Sequence, residues 1–571
     1  MPVPPSILAQ SAGLQPIDYV VVLVYLLGVL GVGCFFSKQQ QETSEFFVGG
    51  RRLPWLAVGL SIVATMLSTV SYLATPGEVI QHGLALSVGW LALPIAFVIV
   101  NFLWIPFFMR LGVTSIYEYL EPRFGLLTRC TAVALFVFIL RLLWMAIIVR
   151  TASVAVAQIT YDSIGDIWPI AISQHQWTVC VLISVGCLAT FYTMLGGMQA
   201  VVWTDVAQFV VLFGGLVLTL LFVGFRTGTG PLEWWQTATG GGQEFPALAS
   251  WDITQRNTVL FTVLHVVFWY ACTFIADQVA VQRYLSTSSA AAARAGNLVN
   301  FIADFVVMCL LALCGMALLT YYLHPDFMTV IVDGQTDPRA EGVSDRVFPH
   351  FIAYGLPAGI SGLVVAALFA VAMSSLDSGI NSVSAVLTID VFTRWNPDIS
   401  DRQALRIARG TSLVVGSLCT ALAWAMLSLP ERYNIMEITA RTFNCALGPL
   451  GVMFIVGMFI PSARQAAVLT GTAVSMLIAI GVAWYAELTW LLDLTQYETL
   501  SEATDNVRSP SPFLVTPLAT VSGILVAACV AWLSPGSASA TARSMTWRSV
   551  VARAEPYAAT QPRTTEATST D

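Results

Sequence analysis

The feature that most constrains this chain is a succession of apolar stretches, most about 20 residues or longer, running from near residue 17 to residue 533. A helix of that length crosses ~30 Å of hydrocarbon. The apolar residues are continuous and do not alternate at period two, which excludes the strands of an outer-membrane barrel. In hydrocarbon no water satisfies backbone N–H and C=O groups, so such runs cross only as helices. The expected fold class is all-α, a polytopic helical bundle in a lipid bilayer. Composition agrees: 57% of the residues are hydrophobic and 10% charged, too little charge to cover a soluble protein of this length.

Thirteen spans are expected, with cores near 17–36, 54–79, 84–109, 128–157, 177–195, 199–224, 257–281, 296–323, 357–390, 405–428, 434–460, 464–488 and 513–533. From Ser534 the chain turns rich in Ser, Thr, Ala and Arg with no apolar period, which predicts a disordered tail over 534–571. One set of loops, with the tail, holds seventeen Lys and Arg, including Lys38, Arg51, Arg110, Arg123, Arg283 and Arg402; the opposite loops hold six. By the positive-inside rule the N-terminus lies outside and the C-terminus in the cytoplasm, as an odd number of spans requires.

Other classes find no support. The net charge is −7, with no basic cluster interleaved with aromatics, so no nucleic-acid partner is indicated. The ten cysteines lie in or beside apolar runs without metal-type spacing and read as small core residues. Residues 1–16 lack a basic n-region, and the first apolar run is long enough to span, so no cleavable signal peptide is expected. The five histidines are scattered, and no enzyme constellation emerges.

Two spans carry chemistry. The second, VGLSIVATMLSTVSYLATPGEV, crowds Ser61, Thr65, Ser68, Thr69, Ser71 and Thr75 into its middle, followed by Pro76-Gly77. Hydroxyls of this kind can bond back to carbonyls in an ordinary helix. They also suit a discontinuous helix whose unwound turn offers carbonyls to a cation and half-helix ends to a solute. The ninth span places Ser374 and Ser375 among small residues, with Asp377 beside them. Two neutral hydroxyls and a few carbonyls suit a hard monovalent ion.

Several motifs occur together in order: LGVTSIYEYLEPRFG (111–125), GGMQAVVWTDVAQ (196–208), DQVAVQRYLS (277–286), AMSSLDSGINS (372–382) and LGPLGVMFIVGMF (447–459). Over roughly residues 17–490 the chain resembles the sodium/solute symporter family, which includes sodium-coupled glucose, sialic acid, iodide, monocarboxylate and multivitamin transporters. The resemblance implies a 5+5 inverted-repeat core of the leucine-transporter type. Residues 1–36 would precede it, 54–224 and 257–460 would form its two halves, and 464–533 would add two C-terminal spans. Spans two and seven would be broken, the second break falling near Trp269–Phe274.

The resemblance also implies a sodium site built from the carbonyls of Ala64, Leu67 and Val371 with the hydroxyls of Ser374 and Ser375. Asp205, in WTD, matches an acidic residue linked to sodium binding; its other reading is a structural salt bridge, since a carboxylate in a membrane is costly and usually paired. The three sugar-binding groups of the glucose branch fall at Trp90, Asp304 and Arg441, so glucose is not expected. Arg441, and Arg141 in the fourth span, each offer a planar fork for a carboxylate. Each could instead pair with Asp205, Asp304 or Asp277. The remaining pocket would draw on Ser68, Thr69 and Ser71, on Tyr270 and Thr273, and on Trp90 as an apolar wall or a membrane-interface belt residue.

The expected function is therefore a sodium-coupled symporter importing a small organic anion such as a carboxylate, by alternating access and without enzymatic activity. A sugar or sialic acid symporter, a uniporter, and a transporter-like sensor are the alternatives. A sodium ion descending ~100 mV and a tenfold gradient releases ~3.7 kcal/mol. A monoanion carried with one sodium cancels the electrical share, so the anion reading asks for a second cation.

Overall fold

The computed structural model describes residues 13–37, 42–167, 172–240, 247–331, 334–340, 342–428, 435–497, 499–534 and 538–553. Among these residues the secondary structure is helical, without strands. Eleven helices are long and apolar enough to cross a membrane. One of them, Gln174–Thr227, is two helices joined at Gly197, whose φ of 53° and ψ of −160° lie in a region open to glycine. A further span is divided between Trp55–Met66 and Thr69–His82. Length and composition thus give eleven candidate spans among the described residues, or twelve with the bent pair Thr43–Arg51 and Trp55–Met66; the thirteen expected are reached only where Gln174–Thr227 counts as two crossings and residues 55–82 as one.

Burial grades from the ninth span outward. In the most apolar stretch of Ile360–Trp395, 89% is buried, against 11% for Pro16–Phe36, which leaves the first span facing lipid. Close approach is set by small residues. At Gly59 in span two, a methyl group would sit 2.4 Å from the carbonyl oxygen of Gly296 in span eight, so only glycine admits that crossing.

Both expected breaks exist. In span two the chain is extended at Leu67 (ψ 110°) and Ser68 (ψ 166°), and Ser68 Oγ caps the second half-helix by accepting from Ser71 N–H at 3.3 Å. Pro76 lies within that half-helix, so Pro76-Gly77 is not the break. In span seven the break is at Asp277 (φ −99°, ψ 112°), between Val259–Ala276 and Gln278–Leu285; Trp269–Phe274 is helical throughout, correcting the expected position. No glycine or proline is needed there because Asp277 is its own cap, its carboxylate accepting from Val279 N–H at 3.0 Å. Tyr284 and Tyr117 hydroxyls donate to the freed carbonyls of Phe274 (3.2 Å) and Ala276 (2.8 Å).

Two further expectations change. Of the tail, residues 540–544 and 547–551 are helical. Met545 and Val550 are buried, and Trp547 Nε1 donates to the Leu103 carbonyl at 2.8 Å, so a few apolar anchors dock this segment despite its polar composition. Residues 1–12 and 554–571 lie outside the described residues. Five cysteines, at 34, 130, 180, 187 and 529, are exposed on the outer surface of the bundle, where lipid solvates a thiol as readily as a protein core does.

Candidate functional site

The break in span two leaves carbonyls beyond the last helical hydrogen bond of its first half, Leu67 N–H to Val63 C=O at 3.0 Å. Span nine brings Ser375 against them: its hydroxyl donates to the Thr65 carbonyl at 3.1 Å. Ser374 Oγ lies 3.3 Å from Thr65 Oγ1, and Val371 sits one turn earlier on the same buried helix. Ser374 and Ser375 thus meet span two at Thr65, and Ala64, Leu67 and Val371 are buried on the same two spans.

Asp205 stands at the edge of this group. It accepts from Ser374 (2.5 Å), Ser61 (2.5 Å) and Thr65 (3.2 Å), and forms an ion pair with Arg283 Nη2 at 3.0 Å. Arg283, which the charge pattern assigns to a loop, is fully buried. Its Nε donates to Ser61 Oγ at 2.9 Å, its Nη1 to the Val279 carbonyl at 2.9 Å, and its Nη2 also to Ser378. Asp377 completes the cluster, accepting from Ser378 at 3.0 Å and from Tyr192. Ser61, Arg283, Asp377, Ser378 and Tyr192 were not among the expected site residues. Their signal was present, since a charged residue inside an apolar span calls for a partner, but sequence alone does not pair them. With both carboxylates ionised, the cluster carries one uncompensated negative charge.

Beside the break lies a cavity of about 130 Å³. Ser68, Ser71, Trp90, Arg141 and Tyr270 line it, as do Thr65, Ser375 and Asp304. Trp90, Trp144, Trp269, Tyr270 and Phe443 form aromatic walls; Trp90 is only 6% exposed, hence a wall and not a belt residue. Thr69 and Thr273 are buried but do not line the cavity. Arg141 lies in a π-helical stretch, Leu135–Leu143. Its Nε donates to Asp277 Oδ1 at 3.1 Å and its Nη2 pairs with Oδ2, while Nη1 has no partner among the described residues. Asp304 accepts from the Tyr270 hydroxyl through one oxygen, and the other has no partner among the described residues.

Arg441 is elsewhere. It pairs with Glu487, stacks 5.4 Å from the Trp484 ring centroid, and lines a separate cavity with Arg256, Glu437 and Ser511. The expectation that it faces the solute does not hold in this geometry, because a carboxylate from the segment after span twelve reaches it first. Counting positions along span eleven could not show a partner 46 residues away.

The model of the sodium:solute symporter family matches residues 46–475. The chain is 30% identical over 476 residues to the sodium/sialic acid symporter SiaT of Proteus mirabilis, covering 83% of this chain and 90% of that protein. It is 29% identical to the sodium-coupled monocarboxylate transporter 1 of Mus musculus, covering 82% and 74%. Among solved structures, a substrate-bound, outward-open sodium-coupled sialic acid symporter matches with TM-score 0.75 at 26% identity, over 92% of this chain and 99% of that one.

Proposed function

The chain belongs to the sodium:solute symporter family, a family of sodium-coupled membrane transporters and not enzymes, and from that premise we propose that it imports a small carboxylate-bearing solute with sodium. The observation that carries the reading is the cavity at the break of span two, which shares Thr65 and Ser375 with the hydroxyl and carbonyl cage and receives Arg141 on its wall. The cage, Ala64, Leu67 and Val371 with Ser374 and Ser375, would take one sodium ion. Asp205 would orient Ser374 by accepting its hydrogen bond, and a carboxylate beside the cage would favour a cation. A carboxylate would be held by Arg141 through the nitrogen that Asp277 leaves unoccupied; Ser68 and Ser71 would add hydroxyls, and Trp90 and Tyr270 apolar faces. The anchor expected at Arg441 moves to Arg141.

Sialic acid is the second reading, supported by two kinds of similarity, in sequence to SiaT and in structure to the sialic acid symporter. It too carries a carboxylate that Arg141 would hold, and the similarities support it as well as a smaller solute. The unequal distribution of Lys and Arg supports an outside N-terminus and a cytoplasmic C-terminus in this multi-pass protein.

The test is uptake into proteoliposomes under an imposed sodium gradient, with labelled small carboxylates, sialic acid and neutral sugars. Carboxylate uptake that collapses without sodium supports the reading; uptake of neutral sugars alone would sink it. Ser375→Ala removes one cage hydroxyl, and the sodium concentration for half-maximal uptake should rise about tenfold, the effect of ~1.4 kcal/mol. Unchanged sodium dependence in both Ser374→Ala and Ser375→Ala would dismiss the cage.

A further inference from the structure

The charges around the cavity do not match a simple anion. Among the described residues Arg141 is the one Lys or Arg side chain that lines the cavity, beside the imidazole of His265, and Asp277 already neutralises that guanidinium. Asp304 faces the same space, 2% exposed, with only the Tyr270 hydroxyl donating to it and one carboxylate oxygen unpartnered among the described residues. A buried carboxylate with a free oxygen leaves a cation-seeking group in the wall. The surfaces beside it are of the same character. Trp269 and Tyr270 stand edge to face at 4.9 Å, and Trp90 adds a third ring. Aromatic faces around an anionic group recognise ammonium centres.

Resting on the reading of Arg141 as a carboxylate anchor, we propose that the solute is a zwitterion, an amino-acid-like molecule whose ammonium binds Asp304 within the Trp90, Trp269 and Tyr270 faces. The two poles then find complementary partners: the solute's carboxylate takes the open nitrogen of Arg141, and its ammonium takes the open oxygen of Asp304. A plain monocarboxylate would leave Asp304 unmatched and add a second negative charge to the cavity. Charge transport fits as well. Asp205 is engaged by Arg283, which leaves the cage with Ser374 and Ser375 as the sodium site. One sodium moving with a zwitterion carries one positive charge inward, whereas one sodium moving with a monoanion carries none.

The test is binding to the purified full chain in detergent with sodium, read from tryptophan fluorescence, since Trp90, Trp144 and Trp269 line the cavity. The probes are small α-amino acids, glycine betaine, and for each amino acid the matched deaminated acid and hydroxy acid, such as alanine with propionate and lactate. The expected result is that at least one zwitterion binds about tenfold or more tightly than its deaminated and hydroxy counterparts. Asp304→Asn should weaken that zwitterion about tenfold or more and narrow the gap to its acid. Tyr270→Phe, which keeps the carboxylate and removes its donor, should preserve the preference and serves if Asp304→Asn fails to fold. Tighter binding of deaminated or hydroxy acids, or no response to any zwitterion, overturns the proposal while sodium-dependent carboxylate binding keeps the anchor at Arg141. Loss of all carboxylate binding, with neutral sugars bound instead, overturns both.

Discussion

Replacing Asp205 by Asn isolates the charge that the buried cluster depends on. The amide keeps the shape of the carboxylate but has a single acceptor oxygen, so it accepts from Ser374 or from Ser61, which donate at 2.5 Å to different oxygens of Asp205, and it no longer balances Arg283 at 3.0 Å. Breaking a buried ion pair from one side costs roughly 3–5 kcal/mol. Arg283 retains Ser61, Ser378 and the Val279 carbonyl, and Asp377 stays close through Ser378, so a loss of about 2–3 kcal/mol is expected. A sodium ion held by Ser374 Oγ would sit on the order of 5 Å from the lost charge, an attraction of ~3 kcal/mol at an effective dielectric constant near 20. The remaining carboxylate and the amide dipole offset part of it. The sodium concentration for half-maximal uptake should therefore rise roughly 10- to 100-fold. Two measurements check this on the same preparation, thermal unfolding in detergent and sodium-dependent uptake in proteoliposomes. A variant that unfolds at the wild-type temperature and keeps its sodium dependence would refute the charge argument at both points.

Arg441→Gln should leave solute affinity within about twofold and lower stability by roughly 1 kcal/mol through loss of the Glu487 pair; a tenfold weaker solute would return Arg441 to the site. Glu121, in the loop after span three, is held below its ordinary value of 4.5 by Arg394, with Arg129 adding to the effect. A depressed carboxyl contributes stability that is present above the unfolded-state value and lost as pH falls through the folded one. Thermal stability should therefore decline more steeply with acid below about pH 4.5 in the wild type than in Glu121→Gln, and identical acid profiles would count against a role for this pair.

What the sequence discloses and what it hides follow from the range of each signal. Span number is legible because hydrocarbon thickness imposes one length on every crossing. The break in span two is legible because six hydroxyls are crowded into one turn and its flanks. The break in span seven is nearly silent: its cap is a side chain, Asp277, and two tyrosine hydroxyls satisfy its carbonyls from other parts of the chain. Arg283 carries a charge that sequence patterning counts with the loops, and only the folded geometry shows Asp205, two hydroxyls and a carbonyl waiting for it within the bundle. In the sequence Asp304 reads only as the place of an absent sugar-binding group, whereas in the fold it is a carboxylate whose partner is a phenol and not a base.

The same segment serves both candidate ligands, and that has a thermodynamic consequence. Thr65 supplies a carbonyl to Ser375 and also lines the solute cavity; Ser68, the cap of the second half-helix, lines that cavity one residue beyond Leu67, whose carbonyl would belong to the proposed cage. An ion that fixes the extended conformation at Leu67 and Ser68 removes an ordering cost that the solute would otherwise meet, and the solute does the same for the ion. Linkage makes the two effects equal: whatever factor sodium contributes to solute affinity, the solute contributes to sodium affinity. Coupling would thus arise at the break itself, without a relay between distant sites, because the two proposed ligands would share one unwound turn.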